Sequence, residues 1–341
     1  MSLHRLVPGP PALRYGLVGP GTHAHEYLLP ALSALDGARL TAVAARTLNS
    51  AAVAARRWNA AGYTDDWREL VLSGDVDALV VSASPDVHAE VAESALANGV
   101  SVFVEKPPAP NTVAMKRLTI AEQKAADAAI AFVGFNYPYG DAYSKLREAL
   151  APHGHLRGLD LRMVSSKPTI PASGYGTVME SLLQSLGTHV VDMALRAMGL
   201  PDEVNAYRTV INENRVGIRV HLSYVDGRTA TLLIGNYSNR LEFRCEFITS
   251  SDVVGVLDQL SSVILSQPAD VAGGRLLDGK ETLRYDWPIR RGGYGRTGYT
   301  KELASFQHSV VNHLPSTSPF SACLDVFHVL DEVKNQLKGL S

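Results

Sequence analysis

Residues 14–24 read RYGLVGPGTHA. An apolar run stops at Gly19, a second glycine follows at 21, and a small residue, Ala24, closes the pattern. HEYLLPALSAL (25–35) has helical spacing, with Pro30 suited to a first turn or a kink. A glycine turn between a short strand and a helix opens a βαβ unit, and the residues that follow repeat it. ARLTAVAA (38–45), DALVVSAS (77–84), VSVFVE (100–105) and AIAFVGF (129–135) have the length and composition of buried strands. NSAAVAARRW (49–58), DDWRELVLSG (65–74), PDVHAEVAESALANG (85–99) and NTVAMKRLTIAEQKAADA (111–128) separate them as helices. Pro85 early and Gly99 late fit the usual helix asymmetry.

Short apolar strands alternating with helices predict a parallel, doubly wound α/β sheet over residues 14–135, a Rossmann domain. YGDAYSKLREALA (139–151) reads as a connecting helix. The rest, 136–341, changes character. GLDLRMVSS (158–166), GIRVHLSYVDG (217–227), RTATLLIGNYS (228–238) and LEFRCEFITSS (241–251) are strands, the last three with no helix between them. They predict an α+β domain with an open, mostly antiparallel sheet, and helices near 178–198, 299–312 and 321–338. Pro8, Pro10 and Pro11 mark residues 1–13 as a tail, and RRGGYGRTG (290–298) as a glycine-rich loop. Tyr175 and Tyr294, in glycine-rich segments, are candidate lid residues.

Whole-chain properties narrow the function classes. The 341 residues are 46% hydrophobic and 19% charged, enough for two cores, and the formal net charge is −2. That balance argues against nucleic acid as a partner. Two distant cysteines, Cys245 and Cys323, predict no disulfide framework. No apolar run reaches the ~18 residues of a membrane span. These features predict a cytoplasmic protein with a small-molecule substrate, and scattered histidines without metal spacing predict no metal.

Gly19, Gly21 and Ala24 match the dinucleotide fingerprint G-x-G-x-x-[G/A]: a tight turn, a close backbone approach to pyrophosphate, and a helix packed on its strand. Thr22 and His23 lie within the turn. An NAD site usually ends its second strand in an acid that accepts from the ribose 2′-OH. Here the residues are Ala44, Ala45, Arg46 and Thr47, so NADP(H) is expected over NAD(H), with Arg46 on the 2′-phosphate. Lys106, at the carboxyl end of VSVFVE, is placed to stabilise charge growing on a reduced carbonyl oxygen. His189 suits a proton shuttle. Ser185, His189, Asp192 and Arg196 are spaced to share one face of an uninterrupted helix. Tyr137 flanks the last parallel strand and is a candidate for the substrate cleft.

With the glycine turn, SASPDVHAE (82–90) and EKPPAP (105–110) in order, the first 140 residues resemble the Gfo/Idh/MocA oxidoreductases. The resemblance extends through GFNYPYGDAYSKLREAL (134–150) and GTHVVDMAL (187–195) and is patchy after residue 200. It implies that Lys106 is the catalytic lysine and that Ser82, Ser84, Pro85 and His88 run along the cofactor. It also implies that Glu105 lies near the nicotinamide ribose, that His189 exchanges the substrate proton, and that Asp192 accompanies it. The family's second sheet is often an oligomer interface, which implies a homodimer or homotetramer. Two positions depart from the pattern: Ser185 stands where many members carry Asp, and Pro138 where Arg is frequent. Two further activities remain open from the same residues. One is imine reduction of the thiazolinyl imine type, against which the retained Lys106 argues. The other is non-catalytic, NADP-binding regulation.

Overall fold

A computed structural model describes residues 12–125, 129–172, 174–267, 280–286 and 296–338. Most of the expected tail, and Tyr294 with 290–295, lie outside the described residues.

Six strands form the first sheet: β1 (Leu13–Val18), β2 (Ala38–Ala44), β3 (Gly62–Thr64), β4 (Ala78–Val81), β5 (Ser101–Glu105) and β6 (Ala131–Gly134). Their order is β3-β2-β1-β4-β5-β6, and every pairing is parallel. β4, β5 and β6 are buried along their whole length, which is why they read as continuous apolar runs rather than alternations. Strand order reverses between β1 and β4. The crevice beyond the carboxyl ends at that reversal is where such sheets take ligands.

The second sheet has eight strands: β7 (Leu156–Val164), β8 (Glu203–Asn212), β9 (Arg215–Ser223), β10 (Thr229–Gly235), β11 (Glu242–Thr249), β12 (Val254–Asp258), β13 (Ser262–Gln267) and β14 (Lys280–Asp286). The order is β14-β13-β12-β11-β7-β10-β9-β8, antiparallel except for the β7–β10 pair. β11 alternates buried and exposed residues along its length. One face packs against the helices Asp141–Leu150, Thr188–Met198 and Phe320–Lys338; among the described residues no helix covers the other.

Helix boundaries show two features absent from the sequence reading. Ala24–Leu28 and Leu183–Gly187 are π-helical turns that run on into Leu29–Ser33 and Thr188–Met198. In the first, Leu29 N–H reaches back five residues to Ala24 O, and Pro30 sits just after it, where a missing amide is tolerated. In the second, the wider turn breaks the simple four-three-four spacing expected from Ser185 to Arg196. The C-terminal helices also pack out of chain order. Leu303 and Phe306 of Tyr299–Asn312 join Phe103 and Phe132 in the core of the parallel sheet. Phe320–Lys338 carries two apolar stripes: Phe320, Cys323 and Phe327 face the parallel-sheet core, while Val326, Leu330 and Val333 face the other.

Candidate active site

The glycine turn meets its packing demands position by position. Gly19 has φ 85°, and a Cβ there would stand 2.3 Å from the Ser82 carbonyl oxygen, so the ends of β1 and β4 admit only glycine. At Gly21 a Cβ would find no protein atom within 4 Å, so its space opens outward. Ala24 is fully buried in the core of the parallel sheet. Beside the turn lies a cleft of about 650 Å³ lined by Gly19, Gly21, Arg46, Asp65, Ser82 and Ser84. Thr22 is exposed at its edge. Ser84 caps the helix Pro85–Ala97 by position but makes no side-chain cap bond, which leaves its hydroxyl to the cleft. Arg46 is exposed at the mouth, while Thr47 accepts from Ser50 N–H to cap the next helix. The open glycine and the cleft fit a dinucleotide. Asp65 in the same lining was not foreseen.

Lys106 ends β5 in a turn whose 106–107 bond is cis. His88 ties this turn to the end of β4. Ala83 N–H donates to His88 Nε2 at 2.8 Å, so the proton sits on Nδ1, which donates to Pro107 O at 2.9 Å. Both ring nitrogens are thereby used within the protein. His88 was expected along the cofactor; its ring nitrogens instead brace the turn and leave no polar atom for a ligand.

Across the domain boundary, Lys106 Nζ donates to Ser185 O at 3.1 Å. Helical carbonyls normally accept from the next turn. A π-helical turn loosens that ladder, and here the carbonyl meets the ammonium. The position where an acid was looked for thus contributes its backbone. The Ser185 hydroxyl turns away to Leu182 O. Burial pushes the Lys106 pKa down, and the neighbouring Glu105 partly opposes this. Glu105 is buried, accepts from Lys106 N–H, and lies 3.1 Å from His23 Nε2. The His23 ring in turn packs on Tyr27 and Tyr299. His23 therefore reaches the carboxyl end of β5 rather than only the phosphate turn.

His189 is 6% exposed, its ring stacked on Tyr137 at 4.4 Å between centroids. Its Nδ1 is buried without a hydrogen-bond partner. Burial, with the positive charge of Lys106, holds its pKa well below the usual histidine value, so the ring is neutral. Burial raises the Tyr137 hydroxyl to about 12. Asp192 points elsewhere. Both its oxygens accept from Arg196 Nε at 2.9 Å, and Arg196 is anchored on Thr317 O and Ser318 Oγ. The catalytic assignment of Asp192 is corrected to this internal ion pair, in which burial lifts its pKa to about 6.

Residues the sequence reading did not name complete the surroundings. Tyr299 and Glu302 share a helix face with Leu303 and Phe306. Glu302 is fully buried, and neither of its carboxyl oxygens has a partner. A lone acid on an apolar helical stripe was the available signal. Next to Tyr137 a second cleft of about 480 Å³ opens between the sheets. Tyr175, the candidate lid residue, is half-buried with its hydroxyl unpartnered. Among the described residues no cluster of His, Cys, Asp or Glu is arranged to hold a metal, and no helix is long and apolar enough to cross a membrane.

Comparison with known proteins agrees with this architecture. An inositol 2-dehydrogenase of Paenarthrobacter aurescens is 29% identical over 192 residues, covering 55% of this chain and 56% of the relative. The chain spans about half the length of the curated relatives it matches. A dehydrogenase of Chromobacterium violaceum superposes with a TM-score of 0.89 at 25% identity, over 97% of this chain and 98% of that one. A levoglucosan dehydrogenase solved with NADH shares the fold at a TM-score of 0.79 and 20% identity, over 97% and 98%. The model of the Gfo/Idh/MocA oxidoreductase family, NAD-binding Rossmann fold, matches residues 13–135, and with its glycine turn and Lys106 turn this domain belongs to that family.

Proposed function

We propose that the protein is an NADP(H)-dependent oxidoreductase that interconverts a carbonyl and an alcohol on a sugar-like substrate, with residues 14–135 holding the cofactor. The observation that carries the reading is the Lys106 ammonium bonded to Ser185 O, four residues before His189 on the facing helix, close enough for its charge to act on that ring. A bound nicotinamide supplies or accepts the hydride. Lys106 donates a hydrogen bond to the substrate oxygen as negative charge grows there, and its lowered pKa eases the proton transfer that follows. His189, neutral and stacked on Tyr137, orients the substrate hydroxyl and exchanges a proton through its ring nitrogens. Glu105 with His23 lines the ribose end. Arg46 meets the 2′-phosphate, with no acid at 44 or 45 to repel it. The names of the relatives, inositol 2-dehydrogenases among them, support a polyhydroxylated ring as substrate.

The uncovered face of the second sheet presents Tyr207, Leu233, Ile248 and Ile264, and it supports self-association. Light scattering should give a dimer or tetramer; a monomer at micromolar concentration refutes that part. The activity is tested by following NADPH oxidation and NADP+ reduction against cyclic ketoses, polyols and cyclic imines. Turnover of a carbonyl–alcohol pair, lost in Lys106→Ala, is the expected result. Turnover of imines alone refutes the carbonyl chemistry. Tight NADPH binding without turnover of any member points to a regulatory protein.

A further inference from the structure

We infer that the cleft beside Tyr137 reads an anionic oxygen substituent of its ligand, a carboxylate or a phosphate, through Arg296. The inference rests on that cleft being the substrate site. Its walls include the rings of Tyr27, Tyr137, Phe243 and Tyr299, and Arg296 is the one charged side chain among the described residues that line it. Flat apolar walls suit the C–H faces of a sugar ring. The polar side chains beside them, Asn136, Gln259 and Ser261, are neutral and give a guanidinium no opposite charge.

Arg296 is indeed left wanting a partner. Its Nε is buried and unpaired, and among the described residues no carboxylate forms an ion pair with it. A buried donor without an acceptor costs about 1–3 kcal/mol, so such a group is normally found bonded. A planar guanidinium is matched best by the two oxygens of a carboxylate or phosphate.

Nor does Arg296 hang on a freely placed segment. Asn136, almost fully buried at the end of β6, donates through Nδ2 to Thr297 O at 2.8 Å. Gly298 has φ 101°, and a Cβ there would stand 2.0 Å from Asn136 O. The backbone of 296–298 is thus pressed against the strand end that also carries Tyr137, whose ring stacks on His189. A ligand with its reacting carbon toward His189 extends its far substituent toward Arg296. The cofactor crevice shares no lining residue with this cleft, so the phosphates at the glycine turn do not account for the arginine.

The test is calorimetric titration of the protein–NADP+ complex with a hexuronate, a hexose 6-phosphate and the parent hexose, using wild type, Arg296→Gln and Arg296→Lys. At least one anionic sugar should bind about tenfold or more tightly than the hexose, as expected for a charged hydrogen bond. Arg296→Gln should erase that margin, leave NADP+ affinity unchanged and not lower the melting temperature. Arg296→Lys should restore part of it. The two anionic arms tell carboxylate from phosphate. Equal binding of all three sugars, no binding of any, or a loss of NADP+ affinity in Arg296→Gln overturns the inference. Anion preference without hydride transfer leaves the anion site standing and removes the redox reading. Turnover of the neutral hexose without anion preference does the reverse.

Discussion

His88 and His189 approach the Lys106–Pro107 turn from opposite domains, and both are buried. Burial lowers the pKa of each, so neither ring is charged at neutral pH. Their bonding differs. His88 spends both nitrogens on main-chain groups, Ala83 N–H and Pro107 O. His189 keeps Nδ1 unpaired in a wall of aromatic rings. The first region is closed and sets where the turn sits. The second keeps a buried ring nitrogen unbonded among the described residues, as the proposed site requires. A buried histidine therefore announces a site only when its nitrogens are left over. Sequence proximity to a motif does not separate the two cases.

Substitutions can break this contrast. Lys106→Met removes a cation that acts on both histidines and should lower hydride transfer by about 10²–10⁴-fold while NADPH still binds, checked by rapid-mixing kinetics and cofactor titration. His88→Leu strands a buried amide and a carbonyl, and should cost about 2–4 kcal/mol of stability in denaturant unfolding. His189→Gln should leave stability nearly intact and cut the rate by about 10–100-fold. Were the two histidines to exchange these outcomes, the distinction between bracket and site would be wrong.

A fourth prediction concerns Glu302. Burial and the charge of Glu105 hold its carboxyl protonated well above the ordinary 4.5. The fold therefore keeps a proton that the unfolded chain releases. Its contribution to stability is complete below about pH 4.5 and is lost as pH rises. Glu302→Gln, neutral at every pH, should melt with wild type near pH 4 and increasingly above it toward pH 8. A gap that does not grow with pH contradicts the buried-acid reading. The smallest effect is at the crevice mouth. Arg46→Ala should weaken NADPH by about 1–2 kcal/mol and leave NADH nearly unchanged. Equal losses would move Arg46 off the 2′-phosphate, and Asp65 in the same lining makes the comparison informative.

The parallel sheet was legible because its function is carried by main-chain geometry. Gly19 announces a turn that only glycine can make, and buried strands leave long apolar runs. The second domain was legible as strands and helices, and Tyr137 and His189 could be named from the sequence, but the contacts they make could not. There the proposed site rests on single side chains brought together from distant segments: Asn136 on Thr297, Tyr137 on His189, Lys106 on the Ser185 carbonyl. No local pattern encodes those meetings. The Asp192 assignment failed for a related reason. Helical spacing put it on a face with His189, but Arg196 one turn later took both its oxygens, and a π-helical turn upstream shifted the register. The Tyr299–Asn312 helix shows the same limit at the level of packing. Chain order assigns it to the second domain, while Leu303 and Phe306 complete the core of the first.

The proposed proton-handling role of Lys106 is tested most directly by the pH dependence of single-turnover carbonyl reduction with NADPH. Lys106 must be protonated to donate, and burial lowers its pKa below the ordinary 10.5. His189 is already neutral across the neutral range. The rate should therefore stay level through pH 6–8 and fall through one alkaline inflection below 10.5. That inflection should be absent from the residual rate of Lys106→Met. An inflection near 6.5, or an alkaline one that survives the substitution, would contradict the account.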